Sequence, residues 1–340
     1  MPFENSNSNN EVKPSLKEDI SKCSEIIIDY SKEKYPRYDL YHFSDIYSLD
    51  VIEHNTRYIE QRKKDFDKTN FNLGSEYSFL LNENKKRSEA LEIIIANQIE
   101  SSDWFGSNSL FFRTTEYDDI ANGVDAVVEF NFEDDNHPER LSLLIDSTSS
   151  TKSSKISEKI DSNIAKLLSN KLQVKYYESP NLDPDSAYKG VLEDVIPVVI
   201  GLEATNTNKL IISFSRLISL EKLINDTSLP NNERVTYQKE FTQTRRKIEK
   251  DPSQLIFLKE IICQLDMYSR ILTRENNSNI NVKISTVEKL KKIIEDIVEE
   301  KKDISNLSKT KDLEWTDTVH NLISYHCGKD VKKEKKDVNS

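Results

Sequence analysis

Two aspartates carry the chemistry in this 340-residue chain. Asp125 lies in Asn122-Gly123-Val124-Asp125-Ala126-Val127-Val128-Glu129-Phe130, and Asp146 follows in Leu144-Ile145-Asp146-Ser147-Thr148. Asn-Gly turns the chain into a strand, so Asp125 starts that strand. The second apolar run ends in Asp146. In an antiparallel hairpin the start of one strand lies beside the end of the other, which brings the two carboxylates to one edge of a sheet. Side chains alternate along a strand, so Leu144, Asp146 and Thr148 share a face. An Asp among apolar strand residues is disfavoured by propensity and by burial, and a cation supplies a reason for it. Two close carboxylates offer hard oxygen ligands that suit Mg²⁺ or Mn²⁺. A metal so held activates water and steadies the charge on a phosphodiester.

The elements around this pair follow from periodicity. Residues 83–100 predict a helix with Leu91, Ile94, Ile95, Gln98 and Ile99 on one face. Val124–Phe132 and Leu141–Ile145, joined by a polar turn over 133–138, predict the hairpin. Residues 154–169 predict a helix on Ile156, Ile160, Ile164, Leu167 and Leu168. Leu172–Tyr177 and Val195–Gly201 predict two further strands, the second of fully buried type. Helix, hairpin, helix, strand, strand implies a mixed sheet with helices on its faces.

In this order of elements and in its two acids the segment over 85–202 resembles the PD-(D/E)XK nuclease superfamily. The resemblance implies an α/β fold with a small mixed sheet of restriction-endonuclease-like type. It implies that Asp125 is the first acid and that Asp146-Ser147-Thr148 stands in the (D/E)-x-K triplet. Glu89 or Glu92 on the preceding helix is then the further acid that many members carry. The lysine of the triplet is replaced by Thr148, and Lys152 and Lys155 are the candidates for a lysine displaced to the next element. The site so implied comprises Asp125, Asp146, Thr148, Lys152 and Lys155. Asp125 and Asp146 hold Mg²⁺ or Mn²⁺, Thr148 orients water or a metal ligand, and one of the lysines contacts phosphate or the water. Asp118 and Asp119 have no assigned place: either they join the same edge or they are loop acids.

The function expected is metal-dependent hydrolysis of DNA or RNA. The alternatives are a catalytically inactive nuclease-fold scaffold or protein-binding module, and a helical oligomerisation protein with a purely structural α/β core. The long charged helices and the missing triplet lysine favour the scaffold. Six lysines against two acids over 151–175 offer a surface for phosphates. A second basic run comprises Arg234, Lys239, Arg245, Arg246, Lys247 and Lys250. The ordinary reading of both runs is a solvated helix face.

Composition bounds the rest. Hydrophobic residues make up 36% and charged residues 31%, with net charge −11. A protein that coats DNA is usually basic, whereas an enzyme can be acidic overall and basic in its cleft. No run approaches the roughly 20 apolar residues of a membrane span. Three scattered cysteines, Cys23, Cys263 and Cys327, fit a reducing, cytoplasmic compartment. Cys327 with His320 and His326 reads as an ordinary helix end in preference to a zinc site. With 6 glycines the chain has no GxGxxG, GxxxxGK[ST] or GxSxG, and it lacks HExxH.

The organisation expected is a disordered leader over 1–15 without a secretory signal, a helical N-terminal region over 16–82, the α/β core over 83–226, a helical C-terminal region over 227–327 and a charged disordered tail over 328–340. Pro36 ends the first helix. Asp251-Pro252 opens an amphipathic helix. Residues 284–302 carry a stripe, Val287, Leu290, Ile294, Ile297 and Val298, that allows helix-mediated self-association.

Overall fold

A computed structural model describes residues 14–72, 75–134, 137–169, 172–179, 188–275, 278–305 and 308–337. The chain begins with α1 (Pro14–Lys34), a 3-10 turn (Leu40–Phe43), α2 (Leu49–Asn72) and α3 (Ser75–Ser102). Then come β1 (Ser109–Arg113), α4 (Glu116–Asn122), β2 (Ala126–Asp134), β3 (His137–Thr148), α5 (Ser153–Leu168), β4 (Val174–Glu178), β5 (Lys189–Leu192) and β6 (Ile196–Gly201). The remainder is helical: α6 (Ala204–Asn225), α7 (Asn231–Glu249), α8 (Ser253–Arg274), α9 (Ser278–Glu300), α10 (Lys302–Ser305), α11 (Ser308–Thr316) and α12 (Thr318–Asp337).

The main sheet has the order β1-β2-β3-β6. β2 runs antiparallel to both β1 and β3, and β6 lies parallel to β3. A parallel neighbour needs a crossover, and α5 is part of it. The expected hairpin is β2-β3, with longer strands than the apolar runs indicate. Its register, Phe130↔Leu141 through Ala126↔Ile145, alternates the two faces. Phe111, Val128, Leu143 and Ile145 join the core shared with α3, α6 and α8, while Phe112, Val127 and Leu144 face Val174, Tyr177, Leu192 and Val195.

Three features differ from the sequence-based expectation. β1 is an added sheet strand, and its five residues Ser-Leu-Phe-Phe-Arg are too short for a periodicity to declare itself. The strand expected over 172–177 does form, as β4, but it pairs with β5 in a separate two-stranded sheet. That sheet covers the Val127 and Leu144 face. Finally, α4 is an added helix between β1 and β2, its seven residues too few for a periodicity to show. The expected leader falls largely on residues 1–13, outside the described residues.

The free edge of β6 is closed by side chains. Gln264 of α8 accepts from Val199 N (2.9 Å) and donates to Val199 O (2.7 Å), and Glu260 accepts from Gly201 N (2.8 Å). Both side chains are buried. An amide reproduces the donor and acceptor of a neighbouring strand, so the edge is satisfied without another strand. At the start of α8, Asp251 accepts from Ser253 N (3.0 Å), and the helix begins one residue after Pro252. Ile27 of α1, Leu91 of α3, Leu258 of α8, Leu290 of α9 and Ile323 of α12 belong to one hydrophobic cluster with the sheet. The N-terminal and C-terminal helical segments therefore share the core of the α/β unit.

Candidate active site

Thr114 and Thr115 link β1 to α4. Thr115 caps that helix, and Gly123 closes it in the left-handed conformation at φ 64°. Glycine takes this conformation without a Cβ penalty, and the chain leaves it directly into Asp125 and β2. Asn-Gly thus acts as a helix end that launches a strand. Asp125 N donates to Ile145 O (3.0 Å). The register ends at Ala126↔Ile145, so one further step sets Asp125 opposite Asp146.

The Asp125 carboxylate accepts from Ser147 N (2.7 Å) and Ser147 Oγ (3.3 Å), which fixes its orientation across the strands. Lys159 of α5 reaches Asp146, forming an ion pair with its Oδ1, and its Nζ lies 3.5 Å from Ser147 O. From α3, Glu92 is a close charge neighbour of Asp125. Arg37, in the link after α1, pairs with Asp119 (2.6 Å) and lies 3.8 Å from Glu92. Four acids, Glu92, Asp119, Asp125 and Asp146, thus gather around two cations, Lys159 and Arg37.

The electrostatics follow from burial and like charge. Burial pushes the Asp125 carboxyl well above the usual carboxylate range, and Glu92, Asp146 and Asp119 push it further. Asp146 is raised by burial against the opposing pull of Lys159. Glu92 is raised to about 7, by burial first, with Arg37 opposing it and Asp119 adding to it. For Lys159 burial disfavours the charge, but Asp146, Asp125 and Glu92 outweigh it and hold the ammonium above its ordinary value.

The other candidates take distinct places. Thr148 is buried at the end of β3. Its Oγ1 accepts from Ser150 N (3.2 Å) in a local turn, and a Cβ built on Gly201 would press on its Cγ2. That hydroxyl shapes the exit from the strand. Lys152 and Lys155 are exposed at the start of α5, and neither forms an ion pair with the acids among the described residues. Glu89 pairs with Arg113 (3.0 Å), so of the two glutamates on α3 it is Glu92 that enters the cluster. Asp118 is buried and accepts from Lys175 N (2.8 Å), Tyr176 N (3.0 Å) and Asn122 Nδ2 (2.8 Å), bracing α4 against β4. Its neighbour Asp119 is the one that faces the cluster.

Lys159 is the residue that sequence reasoning passed over. The signal was present: Lys152, Lys159 and Lys166 recur every seven residues, close to two helical turns, with Lys155 one turn after the first. The stripe lies beside the buried face of Ile156, Ile160 and Leu167. Lys166 donates to Asn122 O (2.6 Å), at the turn that delivers Asp125. In the second basic run, on α7 and its cap Lys250, all but the half-buried Arg234 are exposed, and Arg245 pairs with Glu249 in its own helix.

His326 pairs with Asp161 (3.1 Å) and His320 with Glu260 (3.4 Å), so the histidines near Cys327 have separate acidic partners. Among the described residues, no three His, Cys, Asp or Glu side chains are gathered as a ready metal cage. No helix among them is long and apolar enough to cross a membrane. No protein-family model, curated protein or solved structure matches the chain.

Proposed function

We propose that the chain is a metal-dependent phosphodiesterase of PD-(D/E)XK type that acts on DNA or RNA. The observation that carries the reading is the meeting of Asp125, Asp146 and the Lys159 ammonium at the end of the β2-β3 pair, with Glu92 beside them. The sheet supports it as well: three antiparallel strands and a parallel fourth, with α3 before them and α5 between the third and fourth. Lys159, on the helix after β3, takes the part of the triplet lysine that Thr148 lacks.

The acids suit a hard divalent cation. Their carboxyls are raised by burial and mutual repulsion, so a cation relieves what Lys159 and Arg37 only partly offset. Asp125 and Asp146 would hold Mg²⁺ or Mn²⁺, with water completing the shell. When bound, such an ion supplies Lewis acidity and a more acidic water. Ser147 holds Asp125 in place, Lys159 steadies negative charge at the reacting oxygen, and Lys152 and Lys155 lie further along the same stripe to receive flanking phosphates.

Cleavage of fluorescently labelled DNA and RNA in Mn²⁺ tests the reading. Wild type cleaves at least one of them, and Asp146→Asn and Lys159→Ala each lose about 100-fold or more. An inert wild type, or variants that cleave as wild type does, overturns it and favours the scaffold.

A further inference from the structure

The residue after Arg37 extends the site into a surface of a different kind. Tyr38 stacks on His42 with ring centroids 4.1 Å apart and planes within 4°. Behind the pair, Tyr38 meets Phe43 and Phe112 at 6.4 and 6.0 Å. Tyr38 nevertheless remains 38% exposed and Tyr41 49% exposed. Rings that served only to fill the core would be covered, as those of Phe43 and Tyr176 are.

Position gives the exposed rings a purpose. Phe112 pairs with Val127 across β1-β2, and Val127 lies two residues from Asp125 on the same sheet face. Two strand residues span about 7 Å, and Tyr38 reaches Val127 through Phe112, which it meets at 6.0 Å. The neighbouring Arg37 side chain is itself in the acid cluster. Lysines on α5 lead to the cluster from another element. Arg37, which precedes Tyr38, pairs with Asp119, and Lys159 of α5 pairs with Asp146, so cations and exposed rings both border the acid cluster; together they suit a strand whose phosphates and bases are both accessible, whereas a duplex keeps its base faces stacked inside.

We propose that Tyr38 and His42 form a base-stacking step and that the substrate is a single-stranded nucleic acid. Glu178 pairs with His42 Nε2, and Lys189 donates to His42 O (2.7 Å), so the lower ring of the stack is held in place. The inference rests on the phosphodiesterase reading, and its test separates the two.

Binding is measured by fluorescence anisotropy in EDTA, with the full chain carrying Asp146→Asn, on labelled dT20, rU20 and a 20-base-pair duplex. The expected result is tighter binding of at least one single strand than of the duplex. Tyr38→Leu, which keeps the apolar contact with Phe112, weakens that strand about tenfold, and Tyr38→Trp retains its affinity. Equal affinity for duplex and single strands, or no change in Tyr38→Leu, overturns the stacking step. Cleavage by wild type in Mn²⁺ is scored separately. Tyr38-dependent binding without cleavage defeats only the phosphodiesterase, and cleavage of duplex that ignores Tyr38→Leu defeats only the stacking step.

Discussion

Asp146 carries two opposing demands, because burial favours its neutral form and Lys159 its charged one. Glu92 has the same conflict with Arg37, and its carboxyl is raised to about 7. A carboxyl whose pKa is higher in the folded protein than in the unfolded chain holds its proton more tightly when folded. Its contribution is present at low pH and is lost as pH rises from the ordinary glutamate value to about 7. Glu260, also raised to about 7 by burial, adds in the same direction. The metal-free protein should therefore lose stability between pH 5 and 7 on account of these groups. Mn²⁺ should restore more at pH 8 than at pH 5.5, where protons compete for the carboxylates. Melting curves with and without 1 mM Mn²⁺ at the two pH values check this, and an equal gain at both would count against a carboxylate site. At this scale Asp125 and Asp146 were legible from strand alternation and turn chemistry. The choice of Glu92 over Glu89 was not, because it depends on which of them Arg113 engages from β1.

Among the elements, α5 presents its lysines in order. Lys159 touches Asp146, whereas Lys155 is exposed one turn earlier. Lys155→Ala should weaken nucleic-acid binding only about two- to fivefold at low salt, and less as salt rises, since an exposed phosphate contact is screened. Lys159→Ala should instead lower the cleavage rate. A loss of rate in Lys155→Ala as large as in Lys159→Ala would reverse their roles. A second element-scale expectation concerns the sheet edge. Gln264→Ala leaves Val199 N–H and C=O buried without partners and should cost roughly 1–3 kcal/mol of stability in denaturant titration. The helices and the β2-β3 hairpin were legible because their apolar periods are long and regular. β1 and α4 were not, having five and seven residues. The pairing of β4 with β5 was also hidden, because a weak local alternation does not say which neighbour a strand takes.

For the molecule as a whole, net charge −11 sets a repulsive background for any polyanion. On the proposed reading, affinity for nucleic acid must come from a local track, so it should fall with salt on a shallow slope. Three phosphate contacts on a single strand give about −2 in log K against log salt. A slope near zero would remove the lysine stripe from the binding surface. The sequence suggested helical regions before and after the core, but their integration was not visible in it. Arg37 reaches the acids from beyond α1, and Gln264 closes β6 from α8, and both contacts are long in sequence separation. Apolar periodicity marks which face of a helix is buried and is silent on what buries it.

The central claim is that Asp125, Asp146 and their neighbours make one cation site where the paired strands β2 and β3 end. Calorimetric titration of Mn²⁺ into the full chain at pH 7.5, wild type against Asp146→Asn, tests it most directly. The account predicts saturable binding in wild type that is lost in the variant. Absence of binding in wild type, or unchanged binding in the variant, would contradict it.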